Sequence, residues 1–148
     1  MKIALASDHR GYEFKNKLCH LLSEHGYSVA DYGTDDSAKS VDYPDYASRA
    51  ARAVSRKECE RGILVCGTGI GMSLAANKVK GIRAIVAHDI YSTEMSRRHN
   101  DSNVLCIGAD LLAPGPMAMK IIQVWLETPF EGERHARRVE KITDLEGS

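Results

Sequence analysis

Five short apolar runs alternate along this chain with longer segments of helical pattern, and this alternation limits the fold more than any other feature. The runs cover residues 3–6, 27–32, 63–66, 82–87 and 104–107. They show little alternation in polarity, which is typical of strands buried on both faces of a sheet. A helix after each strand predicts a parallel sheet with helices on both sides. We therefore expect a Rossmann-like α/β fold, a three-layer sandwich around a five-stranded parallel sheet.

Helical patterns fill the intervals between these runs. Apolar residues recur at helical spacing within residues 12–25, and Gly26 follows as a C-terminal cap. Pro44 suits the first turn of a second helix. No linker or repeat interrupts the pattern, so residues 1–148 are expected to form one domain. Further helices are predicted over residues 71–78, 91–100, 114–126 and 134–145.

Charge and hydropathy argue against several classes of protein. The chain has 20 basic and 20 acidic residues, which argues against binding nucleic acid or an anionic membrane through bulk charge. No apolar run is long enough for a membrane span or a signal peptide, so a cytoplasmic protein is expected. The four cysteines lack zinc-ligand spacing, and no metal site is predicted. Cys19, Cys59 and Cys106 are expected to be reduced, buried thiols.

The third apolar run leads directly into a glycine-rich turn in the stretch GILVCGTGIGMSLAANK. Gly67, Gly69 and Gly71 allow a tight turn whose N–H groups, with those of the next helix, can bind an anion. A dinucleotide site is one interpretation, supported by Asp89 about 20 residues further on. Against it, Met72 replaces the third glycine of that motif, and no P-loop lysine follows. The anion is either a phosphate or an oxygen that becomes negative during a reaction.

Cys66 lies immediately before this turn, where a helix N-terminus stabilises a thiolate. Thr68 adds a hydroxyl to the same turn. Proton abstraction next to a carbonyl requires a base beside an anion hole, because the hole holds the enediolate oxygen. The alternative is an inert thiol at a strand end, with glycines that serve close packing alone. The residues themselves leave both interpretations open.

Three other polar clusters have both functional and structural interpretations. In Asp-His-Arg at residues 8–10, the carboxylate of Asp8 and the imidazole of His9 could act as an acid, a base or a phosphate donor, or the aspartate could simply cap a helix. His-Asn-Asp at residues 99–101 ends a helix, where histidine also suits the helix dipole. Arg134 and Arg138 share one face at the start of the last helix, an unfavourable place for positive charge that suggests an anionic ligand. The alternative is a solvated basic face paired with nearby glutamates.

Five segments, in chain order, match a known family: SDHRGYEFK, VDYPDYA, GILVCGTGIGMSLAANKVKGIRA, SRRHNDSNVLCIGA and FEGERHARRVEKI. On these segments, which cover almost the whole chain, the protein resembles the type B ribose-5-phosphate isomerases, whose wider group includes galactose-6-phosphate isomerase subunits. The resemblance implies an aldose–ketose isomerase of a sugar phosphate that needs no metal or other cofactor. It also implies a homodimer, with or without pairing into tetramers, whose active sites lie at the subunit interface. His99 and Asn100 then come from the second subunit, and the helix at 134–145 reaches the phosphate site or the partner.

The resemblance also implies a role for each matching residue. Cys66 is the implied base that moves a proton between C1 and C2, and Thr68 assists at the substrate oxygens. Asp8 and His99 are placed to open the furanose ring. The backbone of residues 67–73 forms the hole for the enediolate. The implied substrate contacts are the phosphate ligands His9, Arg134 and Arg138, the sugar ligands Tyr43 and Asn100, and the hole residues Gly67, Gly69, Ile70, Gly71, Met72 and Ser73.

One position departs from the family pattern. Members that act on pentose phosphates commonly have a basic residue just after the fifth strand, where this chain has Asp110. An acidic side chain removes that phosphate contact and is expected to repel phosphate. The substrate is therefore ribose 5-phosphate or another sugar phosphate, such as allose or galactose 6-phosphate or a tetrose phosphate. A non-catalytic sugar-phosphate-binding protein and a nicotinamide-dependent oxidoreductase are the alternatives from other classes.

Overall fold

The computed structural model describes residues 1–147, and Ser148, the last residue of the predicted domain, lies outside the described residues. Across the described part, no helix has the length and apolar character needed to cross a membrane. Strands and helices follow one another as β1 (Lys2–Ser7), α1 (Tyr12–Glu24), β2 (Ser28–Asp31), α2 (Tyr43–Ser55), β3 (Arg61–Cys66), α3 (Ile70–Ala76), β4 (Ala84–Val86), α4 (Ile90–Asn100), β5 (Val104–Gly108), α5 (Pro116–Glu127) and α6 (Arg134–Asp144), with a final 3₁₀ turn at Leu145–Gly147.

The five strands form one parallel sheet in the order β2-β1-β3-β5-β4. Leu5 lies opposite Ile63 in the β1–β3 pair, and Ile63 lies opposite Leu105 in the β3–β5 pair. The helix that follows β1 packs on one face of the sheet, and the helix that follows β3 packs on the other face. Ligands of open parallel sheets bind at the carboxyl ends of the strands at such a switch point. The predicted α/β fold is confirmed, and its expected ligand edge lies where β1 and β3 end.

Two apolar layers hold the sheet between its helices. Leu64 of β3 packs in the layer that contains the buried residues of α2 and α3. Its neighbours Ile63 and Val65 point to the opposite layer, which contains those of α1 and α5. Trp125 of α5 is fully buried there, and its indole N–H donates to the Ser102 hydroxyl at 2.9 Å. Burial on both faces explains why the strand runs are continuously apolar.

Two predicted boundaries shift around Asn77. The predicted helix at 71–78 is α3 at Ile70–Ala76, and the predicted strand at 82–87 shortens to Ala84–Val86. Asn77 uses its side-chain amide to bond both backbone groups of Ala84, accepting from its N–H at 2.7 Å and donating to its carbonyl at 3.0 Å. The side chain thus takes the place of a neighbouring strand at the edge of β4, a contact that local periodicity cannot reveal.

Lys15 of α1 is charged and yet buried, with its side chain 1% exposed. Its Nζ donates to both carboxylate oxygens of Asp31 at 2.7 and 2.8 Å and to the carbonyl of Thr34 at 2.7 Å. Asp31 ends β2, so this contact ties α1 to the end of the edge strand. A buried ammonium group requires such partners, because its removal from water is costly.

We expect Asp31→Ala to lower the free energy of unfolding by about 1–3 kcal/mol, because it leaves the Lys15 ammonium buried without a counter-charge. The double variant Lys15→Met/Asp31→Ala should recover part of this loss, since methionine needs no polar partner. Urea unfolding monitored by circular dichroism measures both. Glu13→Ala, an exposed acidic position on α1, serves as the control and should stay within about 0.5 kcal/mol of wild type. An Asp31→Ala effect no larger than that control would contradict the role of the contact.

Candidate active site

A cavity of about 400 Å³ opens at the switch point between β1 and β3. The two strand ends are joined there by the Asp8 N–H, which donates to the Val65 carbonyl at 3.2 Å. Seven of the predicted site residues contribute to its wall, together with two residues that were not predicted. In chain order, the lining is Asp8, Arg10, Tyr43, Cys66, Gly67, Thr68, Ile70, Gly71 and Leu74.

Cys66 is the last residue of β3, and it is 4% exposed. Its Sγ accepts the backbone N–H of Gly69 at an N···S distance of 3.1 Å. Gly69 can aim this donor at the sulfur because its φ is +80°, a left-handed conformation that favours glycine. A donor directed at the sulfur stabilises negative charge on it. The cysteine at the strand end therefore has a backbone donor of the glycine turn directed at its sulfur.

Within residues 1–147, none of the other three cysteines accepts a backbone N–H at its sulfur. Cys59 and Cys106 are buried in the layer with α2 and α3, as predicted. Burial raises the pKa of the Cys106 thiol well above its ordinary value, and the nearby Cys66 raises it further. Cys19 packs against the opposite layer but is partly exposed, so its predicted burial is only partial.

The backbone of the glycine turn offers free donors beside Cys66. The Ile70 N–H is used by the Thr68 hydroxyl at 3.3 Å, and the Ser73 N–H by the Gly69 carbonyl at 3.1 Å. Among residues 1–147, the N–H groups of Gly71 and Met72 have no protein acceptor. Met72 is wholly buried and does not line the cavity, so of these two N–H groups only the one at Gly71 belongs to a residue of the cavity wall. Helix α3 has only seven residues, so these individual N–H groups matter more than a helix dipole.

Asp8 and Tyr43 form two further sides of the cavity. Asp8 is 6% exposed, and its Oδ1 accepts the N–H groups of Arg10 at 3.0 Å and Gly11 at 3.1 Å. This carboxylate therefore both shapes the turn after β1 and lines the cavity. The Tyr43 ring lies so close to Gly71 that a Cβ there would approach it to 2.7 Å. His9 does not line the cavity, and its Nδ1 accepts the Val41 N–H at 3.1 Å.

A second group of predicted residues lies away from this cavity, where the end of α4 meets the start of α6. The His99 ring stacks on His135, with centroids 4.1 Å apart and planes inclined by 12°. Asn100 lines a different cavity of about 730 Å³, which contains no cysteine or histidine. Arg134 and Arg138 are exposed, and no ion pair joins either to an acidic residue of the described chain. The alternative interpretation, a basic face paired with nearby glutamates, therefore has no support from these two arginines in residues 1–147.

His135 and its neighbour Glu131 were not predicted as site residues. Glu131 accepts a 2.6 Å hydrogen bond from Arg98, which lowers the pKa of that carboxyl, and its other oxygen lies 3.5 Å from His135 Nε2. The pKa of His135 lies below its ordinary value because of burial, with further lowering by His99 and Arg134. Donor atoms of His99, Glu131 and His135 lie within 4.8 Å of one another, a set that could hold a cation. Arginines on either side make the surroundings unfavourable for one.

Arg10 was not predicted as a site residue either. Its guanidinium forms an ion pair with Asp110, across the cavity edge beside Gly67. Asp110 was expected to remove a phosphate contact and to repel phosphate; the structure pairs its negative charge with the Arg10 guanidinium. The position of Arg10 directly after the first strand was the available signal, since polar residues at that edge tend to reach the ligand.

Asp89, the acidic residue that supported a dinucleotide site, has a structural role. Asp89 caps the N-terminus of α4, accepting the Ser92 N–H at 2.7 Å. The hydrogen bonds from Ser92 lower the pKa of Asp89. A carboxylate engaged in this cap serves the helix and is not directed at a ribose.

The family model described as Ribose/Galactose Isomerase matches residues 3–142. Ribose-5-phosphate isomerase B of Escherichia coli is 47% identical, over 98% of this chain and 96% of its own length. D-erythrulose-4-phosphate isomerase of Pectobacterium atrosepticum is 42% identical, over 96% of this chain and 93% of its own length. Both relatives therefore align over almost their whole lengths.

Solved structures agree with this assignment. Ribose-5-phosphate isomerase B of Clostridium thermocellum matches with a TM-score of 0.96 at 48% identity, covering 99% of this chain and 98% of that chain. Ribose-5-phosphate isomerase B of Mycoplasma genitalium, with bound ribulose-5-phosphate, matches with a TM-score of 0.93 at 36% identity, covering 99% and 97%. The chain belongs to the ribose/galactose isomerase family, and it is a sugar-phosphate isomerase of the aldose–ketose type.

Proposed function

We propose that the protein interconverts ribose 5-phosphate and ribulose 5-phosphate through a cis-enediolate. The observation that carries this proposal is the Cys66 sulfur, which accepts the Gly69 N–H in a cavity at the switch point. The Gly71 N–H has no protein acceptor among residues 1–147, and Gly71 lines the same cavity, so the proposed base and anion hole adjoin. The relatives from E. coli and M. genitalium, both named ribose-5-phosphate isomerase B, support this substrate.

The proposed reaction begins with opening of the furanose, in which Asp8 and His99 transfer protons at the ring oxygen and the C1 hydroxyl. Cys66 then removes the C2 proton of the open aldose. The electron pair forms a C1–C2 double bond, and the negative charge moves to O1, where the free backbone donors of residues 67–73 stabilise it. Thr68 transfers the O2 proton to O1, and Cys66 returns its proton to C1, which completes the ketose.

Five further side chains are proposed to bind the rest of the substrate. His9, Arg134 and Arg138 contact the phosphate. Tyr43 and Asn100 contact the sugar. The two arginines favour an anion, because they are exposed on one face of α6 and have no ion-pair partner among residues 1–147. They lie outside the Cys66 cavity, as does His99. We therefore propose a homodimer in which a second subunit supplies these groups to each site.

A tetrose phosphate is the second candidate substrate. The relative from P. atrosepticum is named D-erythrulose-4-phosphate isomerase and is 42% identical. The same proton transfer between C1 and C2 serves any aldose–ketose pair, so the choice depends on how far the phosphate contacts lie from Cys66. Isomerisation of tetrose, pentose and hexose phosphates, compared by kcat/KM, distinguishes these candidates.

Cys66→Ala should lower kcat by roughly 10²–10⁴-fold, because it removes the proposed base. Binding of ribose 5-phosphate should change little, since the phosphate ligands remain. NMR in heavy water measures both isomerisation and deuterium entry at C1 or C2, and calorimetry measures binding. Deuterium exchange that persists in the variant would refute the assignment of the base.

Cys19→Ala is the matched control for this experiment. Cys19 lies on α1, outside the cavity, and has no backbone donor directed at it. Its replacement should leave kcat within about twofold of wild type, since substitutions away from functional features are usually tolerated.

If wild type binds sugar phosphates but exchanges no proton on any of them, the protein is a binding module.

Mixed dimers test whether two subunits share each site. Cys66→Ala and His99→Asn proteins should each be inactive, but a hybrid of the two should contain one intact site. Random mixing makes half of the dimers hybrid, so about a quarter of wild-type activity should return. Co-refolding of equal amounts, followed by the isomerisation assay, measures this recovery.

A Cys66→Ala and Asp8→Asn mixture provides the control for mixing. Both residues line the same cavity on one subunit, so every site in this hybrid carries a defect and no activity should return. Recovery in this control, or none in the Cys66 and His99 mixture, would exclude the proposed shared site.

A further inference from the structure

Arg10 and Asp110 form an ion pair at the edge of the Cys66 cavity. Arg10 follows β1 and Asp110 follows β5, and the arginine Nη2 donates to the aspartate Oδ2. The pair lies against Gly67, where an added Cβ would lie 3.1 Å from Asp110 Oδ2 and 3.2 Å from Arg10 Cζ. Gly67 comes directly after the proposed base, so a positive charge is held beside the reacting group.

The backbone fixes both members of the pair to the cavity wall. Asp8 Oδ1 accepts the Arg10 N–H at 3.0 Å, and the Gly67 carbonyl accepts the Asp110 N–H at 3.0 Å. Asp8 and Gly67 both line the cavity. The starting points of the two side chains are therefore set by the same residues that shape the site.

This ion pair contributes little to the stability of the fold. The side chains of Arg10 and Asp110 are 58% and 43% exposed, and exposed ion pairs are weak. The guanidinium group has five N–H donors in a planar fork. Within residues 1–147, Asp110 is the one side-chain partner found for it. The other donors are free to bind a ligand in the cavity that Arg10 lines.

We infer that Arg10 binds the phosphate of the substrate from the same subunit that supplies Cys66, with Asp110 as the positioning residue that holds its guanidinium over Gly67. The inference rests on the proposed sugar-phosphate substrate, and it adds a cation to those proposed on α6. A planar guanidinium matches two phosphate oxygens at once, which a single ammonium cannot do. Asp110, the acidic residue after β5, thus orients the arginine that binds the phosphate.

Two single variants separate the cation from the ion pair. Arg10→Gln and Asp110→Asn both break the pair, but only Arg10→Gln removes the positive charge. Arg10→Gln should weaken binding of inorganic phosphate and raise KM by about tenfold, as expected for loss of a charged hydrogen-bonding partner, with a smaller change in kcat. Asp110→Asn keeps the cation but releases its guanidinium, so it should weaken phosphate binding by about threefold, the size expected for a weak exposed ion pair and less than the effect of Arg10→Gln. An NMR titration with inorganic phosphate and steady-state kinetics provide these values.

Three results would overturn this assignment. Equal weakening of phosphate binding in both variants would show that the ion pair supports the local structure and that the Arg10 charge does not bind phosphate itself. If Arg10→Gln left phosphate binding unchanged but lowered kcat, Arg10 would instead act on the enediolate. Absence of phosphate binding by the wild-type protein would remove the site altogether. Because the titration needs no turnover, phosphate binding through Arg10 without isomerisation would reject the proposed reaction and leave this inference standing.

Discussion

The pairing of β1 with β3 is the contact on which the site depends. It brings together two strand ends that lie 58 positions apart in the chain, since Ser7 lies opposite Val65. The Asp8 N–H then continues the pairing to the Val65 carbonyl, and Gly11 passes so close to that carbonyl that a Cβ would approach it to 2.5 Å. A side chain at Gly11 would force the start of α1 away from β3. The part of the cavity wall that follows β1 would then move away from the part that follows β3.

The three glycines of the turn have different physical functions. Gly69 adopts a left-handed conformation and directs its N–H at Cys66. Gly67 leaves room for an ion pair, and Gly71 leaves room for the Tyr43 ring. Close packing and anion binding were treated as competing explanations of these glycines. The geometry combines them, because the close approaches bring side chains to a turn whose remaining N–H groups are free.

Much of the fold was predictable because its signals are local. Continuous apolar runs and helical periodicity identify the five strands and the helices, and polar residues that follow strands identify Asp8 and Cys66 as neighbours of the ligand edge. The Arg10–Asp110 pair joins residues 100 positions apart, and the His99–His135 stack joins two helices. No local pattern encodes either contact. Asn77 ends α3 for a similar reason, since its partner Ala84 belongs to the next strand.

The dimer is proposed because the cavity of a single subunit lacks several of the proposed site residues. Its cavity contains the proposed base and hole, while His99 and the basic face of α6 lie outside it. The cavity lining includes two exposed apolar side chains, Ile70 at 55% and Leu74 at 64%. Such residues favour burial by another protein surface. A two-fold axis presents the same pair of surfaces twice, so the α6 face of each subunit can complete the cavity of the other, and both sites form together.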